Sequence, residues 1–335
     1  MLITKTPYRI SFFGGGSDYP EWYKKHGGSF LSSTIDKYVY LNVRQLPSFV
    51  ESNYRVVWSK VETVNRIKDI QHNVVREMLR EFNFKSGMEI HYQGDLPARS
   101  GMGSSSSFVV GLMNSLLKLK QKKFSTNDLA KKSIFFEQKK LKETVGIQDQ
   151  ISASYGGFNK VLINTRGNFK IKRIKLKKNI KEFNKNLFLI FTGIDRTASE
   201  IAEQYVGQLE RKKYYEMQEI TAQVNEGKSL LMKNRFDEFG KLLGEAWKFK
   251  KSLGSSITNK KIDELYDFLL KNGAIGGKLL GAGGGGFMLL YVQKNKQKAF
   301  KLKLKNKLTI VPFKFTEEGS EVLLNTEKWK ILATH

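Results

Sequence analysis

Cysteine is absent from all 335 residues, which excludes disulfides, thiolate zinc sites and cysteine nucleophiles. Long apolar runs are missing as well. The opening MLITKTPYRISFF lacks the apolar core of a secretory signal, and no window approaches the ~18 apolar residues of a membrane-spanning helix. These absences predict a cytoplasmic protein with no membrane partner. Acidic residues are scarce beside basic ones, 32 Asp and Glu against 58 Lys and Arg, leaving a formal charge of +26. That charge makes an RNA-binding protein the competing reading from another functional class. The basic runs KLKQKK, KIKRIKLKKNIK and KLKLKNK, however, carry little arginine and no interleaved aromatics. They read as lysine-rich solvated faces, and no nucleic-acid partner is expected.

Three nucleotide-binding signatures are missing or broken. Gly281, Gly283 and Gly286 match the spacing of the dinucleotide fingerprint, but the cluster runs into the strand-like FMLLYV instead of a helix. No P-loop is present, because Ala222 stands where a glycine should precede Gly227-Lys228-Ser229, and Gly277-Lys278 is followed by Leu279. Protein-kinase signatures are absent too.

What remains is ample core material, 40% hydrophobic and 12% aromatic residues, enough for two domains at this length. The chain is organised around PARSGMGSSSSF, Pro97 to Phe108. Gly101 and Gly103 permit a tight turn with converging N–H groups, and Ser104 to Ser107 add hydroxyls. Phe108, Val109, Leu112, Met113, Leu116 and Leu117 then recur at helical spacing, so a helix N-terminus faces the loop, an arrangement that suits phosphate. Upstream, a strand carries Arg9 into Gly14-Gly15-Gly16 and Asp18. Downstream, a capping box at Ser125 to Asp128 opens a helix bearing Glu137, and Asp149 follows 12 residues later across a turn. Two carboxylates can thus converge on the loop and suggest Mg²⁺. Strand-like runs flank a turn at Thr165-Arg166-Gly167, and the domain boundary is placed in the basic stretch after it, giving units 1–185 and 186–335. The second unit begins with NLFLIFTG and continues in helices from Thr197 to about Lys233, from Arg235 to about Ser252, and from a cap at Thr258 to Lys271. Arg196, at a helix start, is a candidate phosphate contact, because a guanidinium fork matches phosphate oxygens.

Three motifs in order, TPYRISFFGGGSDY, PARSGMGSSSSF and KLLGAGGGGF, with GIQDQ between the last two, resemble those of the GHMP kinases, a family of small-molecule kinases. The runs GGGSDYPEWYKKHGG, IDKYVYLNV and FTGIDRTASEI are most similar to the branch acting on heptose 7-phosphate at the anomeric hydroxyl, for nucleotide-activated heptose synthesis. Fucose- or galactose-type kinases are the alternative within the family. The resemblance implies an α+β two-domain fold, an N-terminal unit like domain 2 of ribosomal protein S5 followed by a C-terminal ferredoxin-like α/β sandwich. It further implies ATP and Mg²⁺ as cofactors, a sugar phosphate as substrate, and a monomer or homodimer.

Site residues follow from the same resemblance. Pro97 and Gly101, Met102, Gly103, Ser104, Ser105, Ser106 and Ser107 would wrap the ATP phosphates, with Ser104 and Glu137 holding Mg²⁺. Asp149 would face the acceptor hydroxyl with Arg9 beside it, Asp18 and Tyr19 would touch sugar hydroxyls, and the Gly281–Gly286 loop would brace the phosphate loop. Arg99, Met102 and Ser106 depart from the residues usual at their positions without removing a required group.

Overall fold

The computed structural model describes residues 1–47, 49, 52–84, 86–175, 179–194 and 198–326. Strands β1 (Leu2–Phe13) and β2 (Gly28–Gln45) form a long antiparallel pair that encloses helix α1 (Pro20–His26). The short strands β3 (Tyr54–Val57) and β4 (Val61–Val64) follow, then α2 (Asn73–Phe82) and β5 (Met88–Gly94), and β3 runs parallel to β5. β5 delivers the chain to α3 (Ser104–Leu119), which is buried nearly all round, as expected of a helix with apolar residues on every face. Its close seat on the sheet depends on Gly111, where a Cβ would lie 2.8 Å from Thr6 Oγ1 and 3.2 Å from Leu41.

Helix α4 (Thr126–Phe135) starts at the expected capping box, Ser125 Oγ accepting from Asp128 N while the Asp128 carboxylate accepts from Ser125 N. It runs on into a single π turn, Phe136–Lys140, that carries Glu137, and α5 (Gln148–Tyr155) then presents Asp149 in its first turn. β6 (Phe158–Ile163) and β7 (Phe169–Arg173) extend the first sheet, β6 pairing with the first half of β2 while β5 pairs with the second half.

After α6 (Ile180–Lys185) a second sheet opens with β8 (Leu187–Phe191). The expected helix over 197–233 is two helices, α7 (Ala198–Val206) and α8 (Tyr214–Met232). The chain leaves the helix at Gly207 and turns the fully buried Leu209 into the second core. α9 (Phe236–Ser252) is followed by α10 (Lys260–Lys271), whose cap is Asn259 and not Thr258. The Asn259 side chain accepts from Ile262 N, while the Thr258 hydroxyl is 3.0 Å from Asp263. β9 (Ala274–Leu279), β10 (Phe287–Val292), α11 (Gln297–Leu304) and β11 (Thr309–Val311) complete an antiparallel sheet ordered β11-β8-β10-β9. In order of appearance this is fourth, first, third, second, the strand order of a ferredoxin-like sandwich.

The last strand does not stay in that unit. β12 (Glu321–Asn325) crosses back and pairs antiparallel with β1, so a strict division at 185/186 does not describe these residues. One hydrophobic core also spans both sheets: Phe12 stacks on Phe158 at 5.1 Å, and Phe183 meets Phe239 edge-on at 5.0 Å and Phe315 at 6.0 Å. Among the described residues no helix is long and apolar enough to cross a membrane.

Candidate active site

Two glycine-rich loops meet between the sheets. In the first, Gly101 and Gly103 take positive φ values of 79° and 78°, a region that glycine enters without steric cost, and Gly103 becomes the N-cap of α3. The second, Gly281 to Gly286, packs on Ser100 of the first. Phe287 N donates to Ser100 O at 3.1 Å, and a Cβ on Gly286 would lie 2.2 Å from that same oxygen. The expected bracing of one loop by the other is therefore a backbone contact with no room for a side chain.

Arg9 pairs with Thr34 of β2 just after a register shift between Pro7 and Arg9, and its amide faces the loop. Its N–H donates to Met102 O at 3.1 Å, and its Nη1 donates to Gly101 O at 2.7 Å. The rest of the guanidinium forks onto Asp149, Nε to Oδ1 at 2.7 Å and Nη2 to Oδ2 at 2.8 Å. Such a bidentate pair fixes both side chains in one plane. A Cβ on Gly103 would stand 3.3 Å from Asp149 Oδ2 and 3.4 Å from Arg9 Cγ, so the loop lies directly against the pair.

A cavity of about 340 Å³ opens here. Its walls include Arg9, Asp149, Gly101, Ser104, Asp18 and Lys278. Tyr19, Ser105 and Ser106 line it as well, as does Arg99, whose amide donates to Ser104 Oγ at 3.2 Å. Not every residue expected at the phosphates faces the cavity. Pro97 is exposed outside it, Met102 points its side chain into the core, and the Ser107 hydroxyl donates to Pro7 O at 2.9 Å. Arg196 lies outside the described residues.

Asp18 is buried behind Gly16, accepting from Gly16 N and Gln148 N, each at 3.1 Å. Gly146 makes this possible, since a Cβ there would lie 1.9 Å from Asp18 Oδ2. Burial first, and the charge of Asp149 second, push the Asp18 carboxyl up from 3.8 to about 6. The folded protein consequently holds this proton more tightly than the unfolded chain over that window, and the contribution of Asp18 to stability falls as pH rises through it. The expected size is about 3 kcal/mol. Urea unfolding of wild type and Asp18→Asn at several pH values measures it: the advantage of wild type should shrink between about pH 4 and pH 6. A pH-independent difference would contradict the assignment.

Glu137 does not line the cavity. It is fully buried, accepts from Ser106 Oγ at 3.0 Å and from Gln150 Nε2, and burial pushes its carboxyl up to about 8. Among the described residues no three His, Asp or Glu side chains gather into a cation cage. Magnesium at a nucleotide needs no such cage, because it takes one or two protein oxygens and completes its shell with phosphates and water. Ser104 on the cavity wall and Glu137, joined to that wall through Ser106, are oxygen donors of the right hardness, and Glu137 would give up its proton to bind the ion.

Three polar cavity residues that the sequence reading missed bear on ligand binding. Gln148 Nε2 and Gln223 Oε1 are buried, line the cavity and have no hydrogen-bond partner among the described residues, a donor and an acceptor left for a ligand. Lys278 is the third, and a lysine in the otherwise apolar strand AIGGKL was the available signal.

The family models described as "GHMP kinases N terminal domain" and "GHMP kinases C terminal" match residues 65–157 and 228–309, together more than half of the chain. D-glycero-alpha-D-manno-heptose 7-phosphate kinase of Campylobacter jejuni is 29% identical, aligned over 98% of this chain and 99% of its own length. The bifunctional fucokinase/GDP-fucose pyrophosphorylase of Arabidopsis thaliana is 25% identical over 97% of this chain, which spans 32% of that larger protein. A crystal structure of a D-glycero-D-manno-heptose 1-phosphate kinase from Bacteroides thetaiotaomicron superposes over 99% of both chains with a TM-score of 0.78 at 23% identity.

Proposed function

The chain belongs to the GHMP kinases, ATP-dependent phosphotransferases, and from that premise we propose that it phosphorylates the anomeric hydroxyl of D-glycero-α-D-manno-heptose 7-phosphate to the 1,7-bisphosphate, for nucleotide-activated heptose synthesis. The observation that carries this reading is the Arg9–Asp149 pair seated against Gly101 and Gly103 at the wall of one cavity. The full-length similarity to the Campylobacter enzyme supports the choice of sugar.

Phosphoryl transfer asks a protein mainly to position groups and offset charge. In this reading the amides of Gly101 to Ser104 and the N-terminus of α3 hold the nucleotide phosphates, and Arg9 offsets charge on the transferred group. Asp149 orients the acceptor hydroxyl and accepts its proton late. Both its oxygens already accept from Arg9, so the hydroxyl engages their remaining lone pairs. Asp18, Tyr19, Gln148 and Gln223 recognise sugar hydroxyls. Ser104 on the cavity wall, with Glu137 behind Ser106, would hold Mg²⁺, which would supply charge neutralisation at the phosphates. The two catalytic units are 1–185 and the part of 186–335 ahead of β12, with the cavity between them.

A panel of sugars assayed for ADP release, with mapping of the hydroxyl that gains phosphate, tests the reading. Turnover with heptose 7-phosphate at the anomeric position should exceed that with fucose or galactose. Preference for either unphosphorylated sugar would move the chain to the other branch.

A further inference from the structure

Lys278 is a charged cavity residue that the mechanism above does not use. It sits on β9, is 6% exposed, and lines the cavity beside Arg9. Its ammonium has three donors, of which one is accounted for, a hydrogen bond to Phe12 O at 2.8 Å, and among the described residues it forms no ion pair. A lone buried ammonium is expensive unless a counter-charge is supplied. The charged neighbour that acts on it is Arg9, of the same sign, and Arg9 is already committed to Asp149. Burial first, and Arg9 second, bring the Lys278 amine down from 10.5 to about 7. Lys250 of α9 also lines the cavity, but its ammonium donates to Leu279 O and Gly281 O, which ties it to the second glycine loop. Asp18, Asp149 and Glu143 are the acids on the cavity wall; the first two have other partners, and among the described residues none of the three pairs with Lys278.

We infer that Lys278 is a catalytic residue whose missing counter-charge is a phosphoryl oxygen of the bound ligand, so that binding is coupled to uptake of a proton by this amine. The inference rests on the kinase reading. The bookkeeping is simple: the neutral amine takes one proton from buffer and becomes an ammonium donating to the phosphoryl oxygen, with no bond broken in the ligand. Two sources offer that oxygen, the phosphoryl group being transferred and the phosphate already on the sugar.

Calorimetric titration at about pH 8, in two buffers of different protonation enthalpy, counts the protons exchanged. The probes are a non-hydrolysable ATP analogue with Mg²⁺, heptose 7-phosphate, and unphosphorylated heptose. With at least one phosphorylated probe, wild type should take up close to one proton more than the Lys278 variants. Uptake with the analogue identifies the transferred group, and uptake with heptose 7-phosphate but not heptose identifies the sugar's phosphate. Lys278→Met should lack that proton and bind that probe about tenfold more weakly, the loss expected of one charge-assisted hydrogen bond. Should Lys278→Met fail to fold, Lys278→Arg substitutes for it, since a permanent cation should keep affinity while abolishing that uptake. Equal proton uptake by wild type and the variants overturns the inference. Lys278-dependent uptake with the ATP analogue but no ADP release from any sugar would refute the substrate reading alone.

Discussion

Replacing Asp149 by Asn should lower kcat by about 100- to 10,000-fold, the range associated with loss of a positioned proton acceptor. The isostere keeps the volume but loses the charge, and it presents an amide where Arg9 offers two donors at 2.7 and 2.8 Å. Two defects are thus combined: the acceptor hydroxyl loses its acceptor, and the guanidinium is released from the plane that aims it at Gly101 O. Affinity for an ATP analogue should change far less, because the loop amides remain. Some stability should also be lost, since the Arg9 side chain is 7% exposed, although the 27% exposure of Asp149 limits the penalty. Turnover is therefore to be expressed per folded molecule, from single-turnover kinetics beside a urea titration. Near-normal turnover per folded molecule would remove Asp149 from the chemistry.

A large stability effect is expected at Gly286. Its φ is +95°, and a Cβ would lie 2.2 Å from Ser100 O and 2.5 Å from Ser100 C, backbone atoms that have no rotamer to yield. Gly286→Ala must therefore part the two glycine loops or break the Phe287 N to Ser100 O hydrogen bond. A loss of about 3 to 4 kcal/mol follows from strain and overlap at one site. Since Ser100 leads into Gly101, affinity for the nucleotide analogue should fall in parallel. Thermal unfolding and analogue binding check both halves, and a variant with wild-type values for each would show that the seam is not rigid.

Much of this arrangement was legible in the chain because its signals are local. The capping box Ser125 to Asp128, the positive-φ glycines of both loops and the start of the second unit at NLFLIFTG each depend on a few neighbouring residues. Arg9 and Asp149, 140 positions apart, came together through ordered motifs and not through any single window. What escaped depends on tertiary context. Nothing near Gly207 in sequence reveals that Leu209 must be buried in the second core, and only the sheet shows why Met102 and Ser107 turn inward. Asn259 displaced Thr258 as cap because an adjacent pair of good capping residues leaves the choice to the surrounding packing. Lys278 lay in plain view within KLLGAGGGGF, but a lysine's burial is not written in its neighbours.

The return of β12 to β1 sets an order on how this protein can be made. Leu2 pairs with Asn325 and Lys5 with Glu321, so one flank of the first strand waits for residues that leave the ribosome some 300 positions later. During that interval β1 carries an uncapped edge, the kind of surface that invites pairing with another nascent chain. Completion of the amino-terminal sheet is thereby coupled to synthesis of nearly the whole polypeptide, and premature termination anywhere in the carboxy-terminal unit should yield an aggregation-prone product.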